Sequence, residues 1–198
     1  MSQIYLVTWG PTEWEAQGRI TGDTDVPLSD EGRRRARQSA DELRQPEPPL
    51  LYRGPEEPAR ETAAALASAW GVRARVIKTL REVNLGHWAG LTQAEFEEGF
   101  ESVAREWREN PAAVQPPAGE LLTDALARLE AALVKVAKKA RDGVAVVVIG
   151  PLATAALRLR IEGAGLSQLW ERIEERRAWT AVSFAPAARP RGHRQSAP

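Results

Sequence analysis

At 198 residues the chain is long enough for one domain with a substantial core, and its 43% hydrophobic and 27% charged content fits an ordinary globular protein. Its 27 basic and 27 acidic residues cancel, so no overall field favours nucleic acid or an anionic membrane. Cysteine is absent and histidine occurs twice, which excludes a disulfide framework, thiol catalysis and an imidazole-rich metal site. No cofactor is implied. No apolar run has membrane-spanning length, and the N-terminus lacks the basic-then-apolar pattern of a signal peptide. A soluble, cytoplasmic protein is the expectation.

Strand-like and helix-like segments alternate along the chain, the pattern of an α/β fold with a mostly parallel sheet. Ile4–Val7 predicts a first strand that ends in the turn-forming Thr8-Trp9-Gly10-Pro11. Ser29 caps a helix running to about Arg44, with Asp30 and Glu31 suiting its first turn. Leu50–Tyr52 reads as a short strand and Ala59–Trp70 as a helix, with Pro58 at its start, where proline is tolerated. Val72–Ile77 is a further strand. Thr92–Trp107 predicts two short helices forming a cap over the sheet end, and 110–119 a proline-containing loop. Leu126, Leu129, Leu133, Val136 and Ala137 recur at helical spacing within 122–141. Asp142-Gly143 is a turn before the continuously apolar Val144–Ile149, suited to a central parallel strand. A helix over about 152–161 and a last strand over 180–184 follow. The expected organisation is a domain over residues 1–185 and a disordered tail over 186–198, rich in Ala, Pro and Arg.

Three segments in order resemble the histidine phosphatase superfamily, the phosphoglycerate-mutase-like proteins. The family's opening motif is Arg-His-Gly-Glu-Thr-x-Trp-Asn, and here Gly10, Thr12 and Trp14 keep its frame. The segment from Gly18 to Ser29 is similar to Gly-Arg-x-x-Gly-x-x-Asp-x-Pro-Leu-Ser, and that from Leu80 to Leu91 to the family's acid-bearing motif. The resemblance implies a three-layer α/β sandwich with helices on both faces of the sheet and a small helical cap.

It also implies a phosphate pocket at the strand ends, built from a nucleophilic histidine, a second histidine, two arginines and a proton-donating glutamate. Clustered positive charge and an in-line nucleophile are what phosphoryl transfer needs. The matching positions here carry other residues. Trp9 stands at the nucleophile position and Thr8 at the first arginine; Pro58 stands at the second arginine and Gly150 at the second histidine. Glu15 replaces an asparagine beside the phosphate, and Glu82 alone is retained, as the proton donor. Arg60 lies two residues past Pro58 and should face away on a helix.

On these substitutions the expectation is a catalytically inactive pseudophosphatase with a binding, regulatory or scaffolding role, its pocket formed by Thr8, Trp9, Gly10, Glu15, Arg53, Glu82 and Gly150. Trp9 would plug an anion-free cleft. Its ligand would be a protein or a small molecule, with a homodimer as one form and no nucleic acid, membrane or metal involved. The alternative is a phosphatase or other hydrolase of phosphorylated small molecules with relocated catalytic groups, relying on Glu82 with Glu15. Arg33-Arg34-Arg35 reads as a solvated helix face, and His87 and His193 as non-catalytic.

Overall fold

A sheet buried on both faces organises the chain. The computed structural model describes residues 2–43, 49–141 and 143–184; Asp142 of the expected turn and the tail expected after 185 lie outside them. The strands are β1 (Ser2–Thr8), β2 (Leu50–Arg53), β3 (Ala74–Val76), β4 (Val144–Ile149) and β5 (Trp179–Phe184), in the order β3-β2-β4-β1-β5. Four run parallel, and β5 pairs antiparallel with β1 at the edge, from Ser2 opposite Phe184 to Val7 opposite Trp179.

Alternation along β1 and β4 divides the core in two. Ile4, Leu6, Ala145, Val147 and Ile149 face one side, while Val7, Val146 and Val148 face the other. Helices α2 (Asp30–Glu42) and α3 (Glu57–Trp70) cover the second side. The first side is covered by α6 (Leu122–Ala140) and α7 (Pro151–Glu162), with α8 (Leu169–Glu174) packed on α7. Both faces are therefore dry, which is why β4 is apolar at every residue.

Near the carboxyl ends of the strands sit the short α1 (Glu13–Ala16) and the cap, α4 (Gln93–Gly99) and α5 (Glu101–Glu109). Trp88 ties cap to sheet: its ring lies 4.7 Å from Phe96 and 5.4 Å from Trp107, centroid to centroid. Such aromatic pairs add about 0.5–1.5 kcal/mol each beyond their area burial. The sandwich, its mostly parallel sheet and the helical cap agree with the sequence reading. Helices α1 and α8, each under two turns, carried no legible periodicity. Among the described residues no helix is long and apolar enough to cross a membrane.

The turn after β1 is held against the start of α2. Ser29 Oγ donates to the Pro11 carbonyl at 2.9 Å and accepts from Gly32 N. A Cβ on Gly32 would stand 2.3 Å from the Pro11 carbonyl oxygen, so only glycine allows this approach. Leu129, fully buried on α6, fills the centre of the opposite layer. Leu129→Ala should cost about 2–5 kcal/mol, read from urea unfolding; a loss below about 1 kcal/mol would mean that the α6 layer is loosely packed.

Candidate active site

The carboxyl ends of β1, β2 and β4 meet where parallel α/β sheets place their chemistry. Gly150 follows β4 and caps α7; Pro151 fills the first helical position, leaving the N–H groups of Leu152 and Ala153 exposed at the helix start. Glu82 takes them. Its Oε2 accepts from Leu152 N at 2.9 Å and its Oε1 from Ala153 N at 2.8 Å, while Oε1 also accepts from Val83 N at 2.7 Å. A helix start is an anion site, and here the chain's own carboxyl occupies it.

Trp9 closes the same corner. Its side chain is buried, and the backbone N–H donates to the Ile149 carbonyl. A Cβ on Gly150 would lie 2.1 Å from Glu82 Oε2 and 2.6 Å from Trp9 Cζ2. Glycine at 150 is thus the condition for Glu82 and Trp9 to share this space, and a histidine there would displace both.

The segment bearing Glu82 is fixed from behind by Arg128. Its guanidinium donates to the carbonyls of Arg81 at 2.6 Å and Glu82 at 2.8 Å, and pairs with Glu120, which accepts from Asn84 N. Glu56, at the cap of α3, accepts from Glu82 N at 2.7 Å through Oε1, while its buried Oε2 has no partner. Burial pushes the Glu82 carboxyl up to about 8 against the three N–H bonds that favour its charge, with Glu56 adding repulsion. Burial likewise pushes Glu56 up to about 7. Oε1 of Glu82 accepts two N–H bonds and Oε2 one.

Two cavities meet at Trp9. The first, about 400 Å³, is an aromatic chamber under the cap lined by Trp9, Leu85, Trp88, Phe96, Trp107 and Trp170, with Glu15, Arg19 and Glu82 among its polar groups. The second, about 330 Å³, runs past Thr8, Gly10 and Pro11 and is lined by Arg35, Arg158, Arg172, Arg176 and Arg177. Trp9, Glu15, Pro151 and Ile173 line both, forming a shared wall.

The residues singled out from sequence divide accordingly. Thr8 and Gly10 border the arginine cleft, Glu82 borders the chamber, and Trp9 and Glu15 border both. Glu15 turns back on its own helix, its Oε2 accepting from the N–H and hydroxyl of Thr12 in a capping box. Arg53 stays apart from both cavities, because its Nη1 folds onto the carbonyls of Gly54 and Pro55. Pro58 is buried in the first turn of α3, and Arg60 points outward to pair with Glu57.

The arginine cluster escaped sequence reasoning. Arg35 was grouped with a solvated run, yet it borders the cleft, and Arg158 occupies a buried position of α7. A buried arginine amid alanines and leucines was the available signal. The other three lie on or just after α8, and only tertiary packing brings them to the end of β1.

The architecture is that of a three-layer α/β sandwich with two cavities at the strand ends, one of them under a helical cap. Residues 4–190 match the histidine phosphatase superfamily (branch 1), and the chain belongs to that family. It is 28% identical to phosphoserine phosphatase 1 of Hydrogenobacter thermophilus over 170 residues, 86% of this chain and 81% of that one. It is 32% identical to glucosyl-3-phosphoglycerate phosphatase of Mycobacterium tuberculosis over 126 residues, 64% of this chain and 56% of the relative's length. The solved structure of a mycobacterial glucosyl-3-phosphoglycerate phosphatase with VO3 superposes with a TM-score of 0.76 at 27% identity, covering 84% of this chain and 85% of that one.

These likenesses overturn the expectation of a pseudophosphatase, since proteins named as phosphatases match over most of this fold. The error has a physical reason. Loss of the motif cations suggests a site without positive charge, whereas five guanidinium groups gather beside it from other positions and the retained acid Glu82 lines the adjoining chamber.

Two consequences are measurable. Glu82 and Glu56 hold protons in the folded state at pH values where an ordinary carboxyl, with pKa near 4.5, has lost its own. The stability they contribute is complete below that value and declines as pH rises towards about 8. The urea midpoint should therefore fall between about pH 5 and pH 8, and fall less in Glu56→Gln; a flat midpoint would show both groups ionised throughout. Gly150→Ala should lower stability by about 1–3 kcal/mol through overpacking, and unchanged thermal unfolding would refute the close approach described here.

Proposed function

We propose that the chain is a phosphatase, or a closely related hydrolase of phosphorylated small molecules, working with relocated groups and relying on Glu82. The observation that carries the reading is the Glu82 carboxyl, buried at the start of α7 yet lining the chamber, where burial pushes its pKa up to about 8. Membership of a phosphatase family supports it. So does the 28% identity to a protein named phosphoserine phosphatase 1.

In this reaction the phosphorus–oxygen bond to the leaving group breaks and a new one forms to water. Glu82 Oε2 gives its proton to the departing alkoxide, which leaves as the alcohol. Water delivers the incoming oxygen, and its proton passes to Glu15, whose Oε1 is the oxygen outside the capping box. Glu15 then releases its proton to solvent and Glu82 recovers one from it, which resets both groups. Helix α7 and Arg128 act as positioning groups, the first through Leu152 and Ala153 N–H and the second through the carbonyls of residues 81 and 82. A cytoplasmic setting belongs to the same reading, since a chain without cysteine suits a reducing compartment.

A panel of phosphomonoesters, p-nitrophenyl phosphate included, tests the reading. Hydrolysis should lose its alkaline limb near pH 8 as Glu82 ionises, and Glu82→Gln should lower kcat by about 10²–10⁴-fold. The pH profile matters because a purely structural role for Glu82 would leave that limb in place. Full activity in a folded Glu82→Gln variant, or no turnover across the panel, would sink the proposal.

A further inference from the structure

We infer that the two cavities form one substrate site divided by Trp9: the arginine cleft takes the phosphate dianion, and the aromatic chamber takes an apolar or aromatic body. The substrate class is then the monophosphate of a small apolar molecule. The inference rests on the hydrolase reading for its role and on the cavity walls for its chemistry.

Charge comes first. Arg158, Arg172 and Arg177 share the carboxylates of Glu175 and Glu162, so three guanidinium groups face two acids. Arg35 shares Glu31 with Arg34. Arg176 has no carboxylate within ion-pair distance among the described residues. Against this positive excess stands Glu15, with one oxygen committed to its helix cap. The side chain of Arg158 is 4% exposed, and the Nε groups of both Arg158 and Arg172 have no acceptor among the described residues. Each guanidinium carries five N–H donors in a fixed fork that matches phosphate oxygens, so pairing with Glu175 leaves further donors for a ligand.

The chamber supplies the complementary half. Its aromatic wall is continuous from Phe96 through Trp88 and Trp107 to Trp170, with neighbouring ring centroids 4.7, 5.4 and 5.8 Å apart. The buried Nε1 of Trp88 has no hydrogen-bond partner among the described residues. A pocket of about 400 Å³ with an aromatic wall of this kind suits a small apolar body. Pro151 and Trp9 form the shared wall, beside which Glu82 Oε2 lies against Gly150. A phosphoester reaching across this wall brings its bridging oxygen to the acid.

Calorimetric titration with phenylphosphonate, which cannot be hydrolysed, tests the assignment beside inorganic phosphate. Phenylphosphonate should bind at least about tenfold more tightly, because burying a phenyl ring adds apolar contact. The exposed pair Arg176→Gln and Arg177→Gln should weaken both ligands by about tenfold while the fold survives; Arg158→Gln is the harsher second variant, since it breaks a buried ion pair. Equal affinity for the two ligands would overturn the chamber's role, and binding unchanged in the arginine variants would overturn that of the cleft. Co-sedimentation with phosphatidic acid vesicles, with phenylphosphonate failing to bind, would move the ligand to a lipid surface and defeat the small-molecule assignment. Binding as described with no phenol released from phenyl phosphate would leave this site standing and refute the hydrolase reading. Hydrolysis indifferent to the arginine variants would do the reverse.

Discussion

The carboxyl of Glu82 at the start of α7 is the interaction on which the site depends. It satisfies two N–H groups that the helix cannot satisfy itself, and it binds the loop after Leu80 to the strand end after Ile149. Burial pushes its pKa up to about 8, against the N–H bonds at the helix start that favour its charge. Arg128 and Glu56 hold the backbone on either side, and Gly150 leaves the room.

That contact has a steric counterpart in Trp9. An indole at the end of β1 and a glycine at the end of β4 fit each other, and a side chain at position 150 would displace Glu82 and Trp9. Trp9 and Gly150 therefore behave as one packed unit with Glu82 and not as separate losses. Space that an anion would have filled is taken by an internal carboxyl and an aromatic ring. The positive charge lies next door, across the wall that Trp9 itself forms.

Most of the framework was legible in the sequence because it is local. The 3.6-residue spacing of Leu126, Leu129, Leu133 and Val136 set α6, Ser29 set the start of α2, and the unbroken apolar run of β4 announced a strand buried on both faces. Retained glycines and the acid-bearing segment placed Glu82 near the strand ends. The antiparallel partner of β1, by contrast, is set by where α8 delivers the chain, and α8 is too short to show a period. Arg53 shows the same boundary: its chain position follows a strand end, but its guanidinium is drawn onto two nearby carbonyls.

By itself, then, the sequence determined the α/β order, the family frame, and the absence of the family's histidines and arginines from their motif positions. Only the tertiary structure decided what that absence means. Guanidinium groups 137 residues apart in the chain, from Arg35 to Arg172, converge on one cleft. A carboxyl 70 residues before a helix becomes its cap. Long-range placement of charge leaves no pattern along a chain, because it arises from the packing of layers and not from the period of any one of them.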